Sequence, residues 1–176
     1  MNLDRTRAIE ACQILNDLIG DIVVSTRTIE IFKSKNFKPL MTAVYKIAAT
    51  RFCVFQIVLS LYKILEFDSH YRSFVPNKMS DCWKIMIKEI KSRGVKNFRN
   101  TLVGHIWNKQ MKRPISNKEH DEFENQLYGG DFNGFLLWIN NPNDNTFPKT
   151  VISIVETAKK KIAEDYKIDD SEIFEN

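Results

Sequence analysis

A chain of 176 residues with 43% hydrophobic and 27% charged side chains has the length of one domain and the composition of an ordinary soluble globular protein. Its 6 Gly and 5 Pro supply few turns, which disfavours a fold of many short strands and favours long helices. The net charge of +4 is mild but unevenly spread: nine basic residues fall between Lys84 and Arg113 against one acid, Glu89, while acids gather after Glu164.

In chain order, Leu3 to about Phe32 carries apolar residues at three- and four-residue spacing (Ala8, Cys12, Leu15, Ile19, Ile22, Val23) and reads as a long first helix. KSKNFKP breaks it. Asn36 is placed to cap, and Pro39 to open, a second helix from Leu40 to Phe67 whose stripe takes in Val44, Ile47, Phe55, Val58, Leu59, Tyr62 and Leu65. These two helices are the expected centre of a bundle. Lys46, Arg51 and Lys63 interrupt the apolar run, which argues against a membrane span. No signal-peptide pattern opens the chain, and Cys12, Cys53 and Cys82 form no CxxC or Cys/His cluster, so three buried thiols in a reducing, cytoplasmic setting are expected.

Asp68 to Lys78 reads as a connector, and Ser80 to Gly94 as a third helix. A fourth helix is expected over Phe98 to Lys109, FRNTLVGHIWNK, followed by a polar loop, KQMKRP, that ends on Pro114. Ser116 and Glu119 spell a capping box for a fifth helix, which Gly129 and Gly130 end. Phe132 to Ile139 makes a short helix, NNPNDNTFP a loop, and Lys149 to Tyr166 a last helix. The expectation is an all-α, single-domain bundle of about five to seven helices over residues 1–166, with residues 167–176 as a frayed acidic tail.

On a helical wheel at ~100° per residue, the fourth helix puts Val95, Phe98, Leu102, Val103, Ile106 and Trp107 in one apolar arc. Arg99 falls near the middle of that arc and His105 at its edge. A buried, unpaired guanidinium is very costly, so two alternatives stand: an internal pair, with Glu66 or Asp81 as the acid, or a working cleft.

Arg99-Asn100-Thr101-Leu102-Val103-Gly104-His105, an arginine, a polar residue, four positions and a histidine late in a small helical domain, resembles the motif of the HEPN superfamily. The resemblance implies an all-helical fold and a metal-independent endoribonuclease, of the kind found among toxins and antiviral-defence effectors, with no cofactor. It implies His105 as general base or acid on the ribose 2′-hydroxyl or leaving oxygen, Arg99 on the scissile phosphate, and Asn100 orienting substrate or histidine. Only RNA offers that hydroxyl. Where some members continue as His-x-Tyr, this chain has Trp107. Lys96, Lys109, Lys112 and Arg113 bracket the motif and are the expected contacts to the RNA backbone.

Residues six apart on a straight helix point about 120° from each other, so the motif helices of a homodimer are expected to complete one cleft between them. An antitoxin or sensor protein is the further partner that a toxin reading carries. The alternative from a different class is a non-catalytic helical module that binds nucleic acid, a nucleotide or a protein through the same basic face.

Overall fold

Helix α1, Leu3–Lys33, runs through the middle of the molecule because its buried line is unusually small-sided: Ala8, Ala11 and Cys12 are fully covered, ahead of Leu15, Leu18, Ile22 and Ile29. Small residues let two neighbours approach closely, α2 (Ala43–Tyr71) on one side and α7 (Val151–Tyr166) on the other. The expected pair at the centre is thus a trio. The computed structural model describes residues 3–34, 43–103, 107–108 and 112–174 of the chain. Within them it is all-α, with eight α-helices, one above the expected range.

Helices α1 and α2 are antiparallel. Near one end Tyr71 Oη donates to Glu10 and Arg7 Nη2 to the His70 carbonyl, and further along Leu18 shares a groove with Phe67 and Val24 one with Phe52. The apolar spacing of α2 does not say which side is covered, since the helix is apolar nearly all round. Cys53, Val54, Ile57, Leu61 and Ile64 face the core, whereas Val44 and Ile47, expected there, are exposed. By length and composition the segment Ala43–Phe74 is apolar enough to cross a bilayer, so its charges alone do not exclude a span; 39% of its most apolar window is buried inside the bundle.

Two single 3-10 turns, Arg72–Phe74 and Asn77–Met79, lead into α3, Ser80–Ser92. Trp83, fully buried on α3, donates from its indole to Asp68 at 2.9 Å. Gly94, at φ +66, turns the chain into α4, Val95–Phe98, a conformation glycine adopts without penalty. Helix α5, Asn117–Tyr128, has the full capping box: Ser116 Oγ accepts from Glu119 N, and the Glu119 carboxylate accepts from Ser116 N. Gly129, at φ +63, ends it as expected, and α6 (Phe132–Ile139) follows. A second capping box, Thr150 with Ser153, starts α7.

Of the acidic segment read as a frayed tail, the described residues 167–174 are instead packed on the bundle. Ile168 and Ile173 are buried, and α8, Asp170–Phe174, lies against α1. Arg5 grips the Glu172 carboxylate with both terminal nitrogens, at 2.9 and 2.8 Å, and Gln13 donates to the Glu172 carbonyl. The partners sit about one chain length away in sequence, so local composition gives no hint of them.

Candidate functional site

The motif segment departs from the expected straight helix. Val95 and Phe98 are fully buried, Phe98 edge-on against Phe55 at 6.3 Å between centroids, and there the α-helix stops. Arg99–Val103 continues as a π-turn, a wider winding that recurs at functional sites. Trp107–Asn108 is extended (β1) and pairs antiparallel with Arg113–Pro114 (β2), Trp107 opposite Pro114 and Asn108 opposite Arg113. The helix therefore does not reach Lys109. Pro114 has no N–H, and an edge pairing of two residues is a place where that loss is tolerated. His105 and Lys109 lie outside the described residues.

Arg99 is not in a sealed arc: it is exposed, and so is Asn100. Its Nη1 donates to Asn100 Oδ1 at 2.9 Å, and its Cζ lies 4.9 Å from the centroid of the Tyr62 ring. Neither Glu66 nor Asp81 pairs with it, and among the described residues no carboxylate forms an ion pair with Arg99. An exposed guanidinium stacked on an aromatic face keeps its remaining donors in water, so the desolvation penalty that motivated a buried pair does not arise.

Tyr62 also lines a groove of about 420 Å³ between α2, the end of α3 and α4. Lys91, Lys96, Asn97 and Ser69 stand around it with Glu66. Of the expected backbone contacts, Lys96 is thus beside Arg99 at a concave surface. Lys112 is exposed and holds a left-handed φ of +51 at the turn of the hairpin. Arg113 is committed elsewhere, its Nη1 on Glu119 Oε2 at 2.7 Å and on the Pro114 carbonyl. Arg93, counted in the basic run, is structural as well: it donates to the Leu127 carbonyl at 2.9 Å and lies 4.5 Å from the Trp138 centroid.

Tyr62 and Asn97 are the groove residues that sequence reading passed over, while Lys91 was counted only within the basic run. Tyr62 sits in an apolar stripe, and only the return of α4 across α2 shows that its ring supports Arg99. A second cluster forms on α5, where His120, Asp121 and Glu124 bring ligating atoms within 4.8 Å of one another in a cleft shared with Lys46 and Arg51. Two cations on the same walls oppose a metal ion there.

No protein-family model and no curated protein matches the chain. Its fold is similar to that of a solved integron cassette protein. That protein, Vpc_cass2 from the mobile metagenome of V. paracholerae, superposes with a TM-score of 0.74 over 93% of this chain and 98% of its own, at 23% identity. At that identity the likeness extends to the fold alone.

Proposed function

We propose that the protein is a metal-independent endoribonuclease of HEPN type, a toxin or defence effector, that cleaves RNA at the Arg99 groove. The observation that carries this reading is Arg99 itself: exposed, held by Asn100, stacked on Tyr62 and without a carboxylate partner among the described residues, next to a groove lined by Lys91 and Lys96. A guanidinium presented in this way offers free donors to a phosphate, while the two lysines add the charge that RNA affinity requires.

In the reaction, His105 takes the proton of a ribose 2′-hydroxyl, the 2′-oxygen attacks phosphorus, and the bond to the 5′-oxygen breaks. The leaving 5′-oxygen takes a proton from water, and the product ends in a 2′,3′-cyclic phosphate. Arg99 offsets the charge that builds on the phosphoryl oxygens in the transition state. Asn100 fixes the guanidinium through its Oδ1.

The test is cleavage of a mixed RNA in excess chelator, with products analysed for the cyclic phosphate end. Wild type cuts; Arg99→Ala and His105→Ala do not, while their melting temperatures stay at the wild-type value. Salt-sensitive retention of RNA without any cut product, in wild type and both variants alike, refutes the nuclease and leaves the binding module.

A further inference from the structure

The groove beside Arg99 carries one acid among its cations. Glu66 follows Tyr62 by one turn on the same side of α2, and both line the groove. Glu66 is exposed, and although Lys91 and Lys96 line the same groove, its carboxylate enters no ion pair or hydrogen bond among the described residues. Its backbone carbonyl alone is engaged, accepting from Ser69 Oγ at 2.7 Å. A cleft that served only to hold phosphates would be weakened by such a charge. From α4, Asn97 brings a neutral, exposed amide to the groove, and Leu65 beside Tyr62 adds apolar surface.

We infer, on the reading of this groove as an RNA-cleaving site, that it holds the base of a guanosine adjoining the scissile phosphate. The Glu66 carboxylate accepts from guanine N1–H and N2–H₂, Asn97 donates to O6, and the base lies against Tyr62 and Leu65 while Arg99 holds the phosphate. Donor pattern is the first reason. An ionised carboxylate only accepts, through two oxygens side by side. Guanine alone among the four bases has two adjacent donors on its Watson–Crick edge. Adenine and cytosine have one amino group beside a ring acceptor, and uracil has one N–H between two carbonyls. Against any of those three, one Glu66 oxygen would face a base acceptor, lone pair to lone pair. Next to its two donors guanine has the O6 acceptor, which a carboxylate cannot serve and an amide can.

Placement is the second reason. Tyr62 and Glu66 are ~6 Å apart along the axis of α2, and Arg99 already rests on the Tyr62 ring. The group for the phosphate and the group for the base are therefore separated by about the reach of one sugar. Size is the third. A groove of about 420 Å³ falls in the ~300–1,000 Å³ range of small-ligand pockets and admits one nucleotide but no duplex. That suits an unpaired base read by hydrogen bonds to its edge and by contact with an aromatic ring.

Two readouts on the full chain test it. The ends left by cutting a random single-stranded RNA are sequenced. Binding of uncleavable 2′-fluoro oligouridines carrying a single central G, A or C is followed by fluorescence anisotropy. Wild type is expected to enrich G at one side of the cut and to bind the G oligonucleotide about tenfold or more tighter than the others. Glu66→Gln, whose amide both accepts and donates, is expected to lose that margin and favour A. Glu66→Ala is expected to lose it with no new preference, and both variants to keep the wild-type melting temperature. A wild type that cuts without base bias and binds all the oligonucleotides alike overturns the guanine site and leaves the nuclease standing. G-selective binding that Glu66→Gln turns toward A, in a protein that cuts nothing, supports the site and removes the nuclease. Neither cutting nor binding, or a G preference that both Glu66 variants keep, overturns the site.

Discussion

Arg93 and Lys91 are neighbours in one basic run, yet the structure gives them opposite duties, and replacing each by methionine separates them. Arg93 Nη1 satisfies the Leu127 carbonyl at the end of α5, a bond of about 1–1.5 kcal/mol net. Its guanidinium lies against Trp138 and Phe135, at 4.5 and 5.7 Å from their centroids, which contributes about another 1 kcal/mol. Glu89 Oε1 is 2.9 Å from Arg93 Nε but out of hydrogen-bond alignment, and with its carboxylate 42% exposed the pair is discounted to about 0.5 kcal/mol. Arg93→Met therefore costs about 2.5–3 kcal/mol, a fall of roughly 6–10 °C in melting temperature for a chain of this size. Lys91→Met, at an exposed position on the groove, stays within about 0.5 kcal/mol of wild type. Calorimetry measures both. RNA retention against salt then reads the other half: Lys91→Met lowers the slope by about one counterion and Arg93→Met leaves it unchanged. Equal stabilities of the two variants would refute the division of the basic run into a structural and a binding half.

Three further outcomes follow from the same contacts. The bonds from Arg5 and from the Asp169 N–H hold the Glu172 carboxyl below its ordinary 4.5, so the contribution of this clasp is complete above that pH and fades as pH falls through the lowered value. Urea unfolding of wild type against Glu172→Gln should show a gap that closes toward acid pH; a gap constant with pH contradicts the linkage. Burial pushes the Cys12 thiol up to about 11, whereas Cys82 is half-exposed, so at mildly alkaline pH a disulfide reagent should label Cys82 first and Cys12 only on unfolding. Ser116→Ala removes the side chain that accepts from Glu119 N and should cost about 1 kcal/mol, measured by denaturant midpoint at unchanged slope.

What the sequence made legible was local. Ser116 with Glu119, Gly129 at φ +63 and the apolar spacing of α1 and α7 act within a few residues of themselves, and the elements they specify are where they were expected. What it hid was set at a distance. Arg99 looked buried because a wheel drawn at α-helical pitch assumes that the helix continues, and it becomes a π-turn at that residue. Val44 and Ile47 looked like core because α2 is apolar nearly all round, and only the positions of α1 and α4 decide which side is covered. Helix α8 depends on partners that no window of neighbours contains, whereas the β1/β2 ladder, though local, falls where helical periodicity was read through to Lys109.

The clasp between Arg5 and Glu172 sets how the molecule answers to force. Because α8 is bolted to the opening turns of α1, tension applied through the two ends of the described chain loads that small joint in series before it reaches the packed interior. The joint should yield first and the bundle later, in two separate steps. Conversely, a short tether linking the two ends would cost little in closure entropy, since the fold already brings them side by side, and would leave the loop at 141–149 free to serve as a new pair of ends.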